Sequence, residues 1–197
     1  MRPGPAPFRQ VLAVAALVTG CTLAGGAGAS IPKEQHRTES NKAQAMYKNA
    51  WDGCKRLQGN ARDVCKAEAK GTYEVAKAEL AAQLKPTPKR DDEVRTEKAK
   101  AAYRLAVQKC GDLKSNAKDV CVKDARTSYV AAQGATRISR AAVDRGVNSR
   151  KAVTERKDAR EDDLDAQYAA AKERCEGMSG DAKASCVGDA RRKFGKL

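Results

Sequence analysis

Large apolar side chains are scarce in this sequence. From residue 30 onward, Leu, Ile, Val and Phe together account for 21 of 168 residues, and aromatic residues make up only 4% of the full 197. At high net charge such a composition cannot build a large core, and without a core there is little to wall a catalytic cleft. The single histidine is His36 and no two cysteines lie closer than eleven residues. Zinc sites therefore lack their C-x2-C or Cys/His ligand spacing, and a catalytic thiol pair lacks its C-x-x-C. The longest apolar run, Val11 to Val18, has eight residues, against about 20 needed to cross a bilayer. Neither an aromatic stacking platform nor a nucleic-acid motif is present. Acidic pairs such as Asp91-Asp92 and Asp162-Asp163 read as helix caps and solvated charge rather than tuned acid/base groups. No catalytic, cofactor-binding or metal-binding residue is assigned, and the chain is read as noncatalytic.

What the sequence does hold is repetition. An aromatic, a cysteine seven residues on, a second cysteine eleven further and another aromatic eight further recur three times. The copies are Tyr47, Cys54, Cys65, Tyr73; Tyr103, Cys110, Cys121, Tyr129; and Tyr168, Cys175, Cys186, Phe194. Self-similarity of this kind marks copies of one supersecondary unit. Alanine supplies 30 of the 168 residues after position 29, and with Lys, Glu and Arg it favours helix throughout. The expected fold is all-α: three disulfide-closed antiparallel helical hairpins in tandem, extended or loosely packed.

Each copy carries the means to turn between its cysteines. Leu57-Gln58-Gly59-Asn60, Leu113-Lys114-Ser115-Asn116 and Met178-Ser179-Gly180-Asp181 occupy equivalent places. Gly59 and Gly180 can end a helix, and Asn60, Asn116 and Asp181 can N-cap the next. Ala50, Ala106 and Ala171, four residues before the first cysteine, then face Ala69, Ala125 and Ala190, four after the second. Small side chains there permit the approach a disulfide requires, with Cα atoms about 4.4–6.8 Å apart. The aromatics form a further rung two turns away. Six cysteines allow fifteen connectivities; pairing within repeats is the expectation, as a structural staple for units short of core.

The seventh cysteine, Cys21, stands apart. Residues 1–29 carry Arg2 and Arg9, the short apolar run and then small residues, the layout of an export signal. Val18-Thr19-Gly20-Cys21 resembles a bacterial lipobox, which implies lipidation at Cys21, and Thr22 after it resembles cargo sorted to the outer membrane. The competing cut follows Ala27-Gly28-Ala29. Either way the exported chain loses two arginines and no acids, leaving 37 basic and 25 acidic residues, a net +12.

The remaining divisions follow from breakers and charge. Residues 30–37, with Pro32, read as a tether, 38–85 as the first hairpin, and 86–91 as a proline-broken linker after which Asp91 or Asp92 can cap a helix. The second hairpin then covers 92–133, a linker 134–149 contains Gly134, Gly146 and Asn148-Ser149, and the third hairpin covers 150–197. Dense mixed charge from Arg150 to Arg174 reads as a solvated helix face. Trp51 has Val107 and Lys172 as its repeat equivalents, so the common hairpin does not need it; it reads as a partly covered surface residue or a contact residue.

The phrases Gly59-Asn60-Ala61-Arg62-Asp63-Val64-Cys65-Lys66-Ala67-Glu68-Ala69-Lys70-Gly71 and Asn116-Ala117-Lys118-Asp119-Val120-Cys121-Val122-Lys123-Asp124-Ala125 resemble a family of small exported Ala/Lys-rich proteins of beta-proteobacteria. Some of its members carry cell-envelope or TolA-like labels. The resemblance implies an envelope location and brings no catalytic or binding residues. The expectation is a noncatalytic, exported helical repeat protein on the periplasmic side of the outer membrane, held by lipid through an acyl anchor, or else soluble in the periplasm. Its partner would be another envelope component. The alternative is a basic polyanion binder that attracts lipopolysaccharide phosphates, acidic glycans or nucleic acid by charge, without specific nucleic-acid recognition.

Overall fold

The computed structural model describes residues 30–196; the export signal and Cys21 lie outside the described residues. Six α-helices follow one another: α1 (Lys33–Cys54), α2 (Gly59–Leu84), α3 (Pro88–Lys109), α4 (Ser115–Arg145), α5 (Arg150–Glu176) and α6 (Gly180–Phe194). A short 3-10 turn, Cys110–Asp112, follows α3. No strand occurs among the described residues. Disulfides join Cys54 to Cys65, Cys110 to Cys121 and Cys175 to Cys186, with Cα–Cα separations of 5.6, 5.8 and 5.7 Å. Each bridge spans a helical hairpin, α1–α2, α3–α4 and α5–α6, and among the described residues no helix is long and apolar enough to cross a membrane.

The hairpins are not beads on linkers. Substantial packing joins every pair of helices adjacent in sequence, including α2 with α3 and α4 with α5. The result is an antiparallel, quasi-one-dimensional array in which each helix meets its sequence neighbours. Its core is thin: Cys54, Cys110 and Cys175 are fully enclosed, alongside Ala69, Ala141, Ala152, Ala159, Ala170 and Ala190. Cysteine and alanine occupy the centre because large apolar residues are too few and because small ones let helices approach closely.

Several boundaries differ from the sequence reading. Helix begins at Lys33, inside the stretch read as a tether, and the backbone N–H of Ile31 donates to the carbonyl of Gln83 at 2.9 Å, pinning the chain start to the end of α2. The proline-broken linker shrinks to Lys85–Thr87. Pro88 opens α3, a position where its missing N–H costs nothing, and the Thr87 hydroxyl accepts from the Arg90 N–H at 3.2 Å. Thr87, not Asp91 or Asp92, is therefore the cap. The stretch read as a second linker, 134–149, is helical as far as Arg145, and the chain turns only between Gly146 and Ser149. Gly134, Thr136 and Ala141 in that stretch are buried. Packing against α5 outweighs the roughly 1 kcal/mol that an internal glycine costs a helix.

The hairpin turns also differ in detail. The residues before α2, α4 and α6 are Gln58, Lys114 and Ser179, and none makes a side-chain cap bond. The next residue is left-handed each time: Gly59 at φ 55°, Ser115 at 49° and Gly180 at 56°. The glycine need was real, but it serves to open the second helix rather than to close the first. Asn60, Asn116 and Asp181 are not caps, and the two asparagines are used elsewhere.

Candidate functional site

Three kinds of side-chain constellation stand out, and the repeat determines the first two. The aromatics meet across each hairpin: Tyr47 stacks on Tyr73 with ring centroids 4.8 Å apart, Tyr103 on Tyr129 at 4.9 Å, and Tyr168 meets Phe194 edge-on at 6.3 Å. Such pairs contribute about 0.5–1.5 kcal/mol beyond the area they bury. Together with the disulfides they make two rungs per hairpin. Ala69 and Ala190 are buried between the rungs; Ala106, Ala125 and Ala171 are partly covered, and Ala50 is exposed.

The second kind stitches one hairpin to the next. The Asn60 carboxamide donates to the Asp112 carboxylate at 3.0 Å and lies against Gly111, where a Cβ would collide with it. The Asn116 carboxamide donates to the Glu173 carbonyl at 2.7 Å, and a Cβ on Gly177 would sit 3.0 Å from its oxygen. The third copy has no hairpin beyond it, and its equivalent residue is Asp181. Farther along, α2 and α3 come so close at Gly71 that a Cβ there would lie 3.0 Å from the Ala101 Cβ, and Gly134 would meet Ala159 at 2.8 Å. Relative to the cysteines, the second crossing is displaced two helical turns from the first on both helices, so the antiparallel register is the same. These contacts were not anticipated. The available signal was glycine within helical sequence, together with asparagine in only those two copies that have a successor.

The third kind is a buried charge. Asp92 is 3% exposed; its carboxylate accepts from Arg95 at 2.6 Å and from Arg140 at 2.9 Å, which ties the start of α3 to the end of α4. Burial pushes the Asp92 carboxyl up, but hydrogen bonds and charge from Arg140 and Arg95 together outweigh it and hold the group below the ordinary aspartate value. The Asp92 hydrogen bond raises Arg140 correspondingly. At the surface, Lys55 lowers Asp52 and Lys183 lowers Glu176, each chiefly through a hydrogen bond. Asp162, read as solvated charge, accepts from Arg137 at 2.5 Å, and Asp163 accepts from Gln167 at 2.8 Å. Among the described residues no cluster of three His, Cys, Asp or Glu side chains is arranged to hold a metal ion.

The junctions between hairpins also form grooves. A groove of about 470 Å³ runs between the first and second hairpins, lined by Trp51, Asp63, Lys66, Ala67, Lys70 and four residues of α3. Trp51 is half-buried, its ring 5.7 Å from that of Tyr47, and the Lys66 ammonium lies 5.2 Å from the indole centroid. The groove between the second and third hairpins includes Lys123, Arg126 and Arg137 but also Asp162 and Asp165. No family model matches the chain, and neither curated proteins nor solved structures give a match.

Proposed function

We propose that this is a noncatalytic helical repeat protein of the cell envelope with a structural or interaction role, attached on the periplasmic side of the outer membrane through an acyl group on Cys21, with a soluble periplasmic form as the alternative. The observation that carries the reading is the set of three within-repeat disulfides, which belong to an oxidising, exported compartment. Two features of the array support the role. Helices that pack chiefly on their sequence neighbours leave the two broad faces of the array open to partners. Stapled hairpins also keep their shape without a large core, which suits a protein that presents surface rather than encloses a site. The resemblance of the cysteine phrases to exported Ala/Lys-rich proteins agrees with an envelope location.

The decisive measurement is the intact mass of native protein from its own host, alkylated with and without prior reduction. Six alkylations only after reduction, with an acyl increment at Cys21, are expected. A mature chain that begins at Ser30 replaces the anchor with the soluble form, and thiols that react before reduction overturn the compartment reading. Cross-linking in intact cells then tests the role: a defined envelope partner is the expected product, and a chain recovered only free overturns it.

A further inference from the structure

The first junction departs from its repeat at two facing positions. Three residues before the first cysteine the copies have Trp51, Val107 and Lys172; one residue after the second they have Lys66, Val122 and Val187. A Val–Val pair in the second hairpin is thus a Trp–Lys pair in the first, with the ammonium held over the indole. The change brings an aromatic face and a cation to the groove. Tyr103 and Val107 of α3 complete an apolar floor with Trp51, while Lys66, Lys70 and Arg104 line it against a single acid, Asp63. No carboxylate among the described residues lies within ion-pair distance of Lys66 or Lys70; Arg104 donates through Nε to the Lys100 carbonyl at 3.3 Å, and its one carboxylate contact is with Glu97 at 3.9 Å, whose nearer partner is Lys100 at 2.8 Å.

The second junction serves as an internal control. Arg126 stands where Lys70 does, but Ala169 replaces Arg104, and two aspartates enter the groove. Asp162 is paired with Arg137 at 2.5 Å, and Asp165 with Lys196. That groove sets two aspartates against Lys123, Arg126 and Arg137. The first sets one, Asp63, against three cations, and its volume falls in the range of about 300–1,000 Å³ typical of sites for small organic molecules. We propose that the groove between the first and second hairpins binds a small organic anion that joins a phosphate or carboxylate to a flat apolar ring. The ring packs against Trp51, Tyr103 and Val107, and the anion bridges Lys66, Lys70 and Arg104. Aromatic surface supplies the area and the cations the orientation, and neither half binds well alone.

Trp51 is the only tryptophan in the chain, so its fluorescence reports on this groove directly. Oxidised full-length protein is titrated with phenyl phosphate, with inorganic phosphate and benzyl alcohol as probes of each half, and the Trp51 indole N–H resonance is followed in parallel. Saturable binding of phenyl phosphate is expected, with each half-probe weaker by on the order of tenfold. The double substitution Lys70→Gln/Arg104→Gln should weaken phenyl phosphate by about tenfold, while Arg126→Gln at the second junction leaves it unchanged. Absence of saturation in both signals overturns the proposal. So does inorganic phosphate binding as tightly as phenyl phosphate, which reduces the site to diffuse attraction by a basic chain, and so does indifference to the double substitution.

Discussion

The α2–α3 and α4–α5 junctions use the same register for different ends. Both bring a glycine against an alanine and both place an asparagine of one turn on the next hairpin. The second is longer, with helices of 31 and 27 residues against 26 and 22, and it is fastened by charge. Arg137 pairs with Asp162 at 2.5 Å and approaches Glu155 at 3.5 Å, and Arg174 pairs with Asp124 at 2.5 Å. The α2–α3 pair has one such bridge, Lys98 with Glu79 at 2.7 Å. In a protein with so few large apolar residues, complementary charge and close backbone approach substitute for core. Where the complement is missing, as around Trp51, the surface is left with a demand for an anion.

The largest effect expected is from the bridges that both junctions depend on. Replacing Cys110 and Cys121 together by serine should remove about 3 kcal/mol in the loop-entropy account. Because the middle hairpin contacts both neighbours, hydrogen exchange should loosen on α2 and α5 as well as within it. Loosening confined to α3 and α4 would show that the junctions are independent. Next comes overpacking: Gly134→Val should destabilise by about 2 kcal/mol and open α4 from α5, with Gly71→Val doing somewhat less at α2–α3. Equal thermal shifts for the two would erase the distinction drawn from their 2.8 and 3.0 Å approaches.

Smaller still is the Asp92 clamp, which lies within the second hairpin between the two junctions. Its folded pKa is lowered from the ordinary value of 3.8, so the stability it contributes is complete above that value and is lost as pH falls through the lower folded one. Asp92→Asn should cost about 1–2 kcal/mol at neutral pH and flatten that acid limb of a stability profile; a profile of unchanged steepness would place the acid sensitivity elsewhere. The asparagines close the series. Asn116→Ala should cost about 1 kcal/mol because it loses a bond to a backbone carbonyl, while Asn60→Ala, whose partner is an exposed carboxylate, should cost less. Chemical denaturation of the pair decides which stitch matters more.

The cysteine and aromatic rungs could be read from spacing alone, because equal distances along two helices from a shared bridge must meet again. The junctions could not. Gly134 read as a breaker since its low helix propensity is a local property, whereas its use, admitting Ala159, depends on a helix 25 positions away in sequence. Asn60 and Asn116 read as caps for the same reason. Their type suits a helix start, and only the neighbouring hairpin shows that the carboxamide has a better partner. The Asp92 clamp was hidden because Arg140 lies in a stretch that looked like linker.

Composition and repetition by themselves determined that the chain is helical, thin, stapled and built from three like units. Those properties follow from propensity, from the shortage of large apolar residues and from intervals measured along one chain. Only the tertiary structure decided that the units form one continuous array and that its two junctions differ in charge balance. Whether two helices touch, and whether a lysine finds a carboxylate across the gap, is set by distances between residues far apart in sequence, on which no local pattern bears.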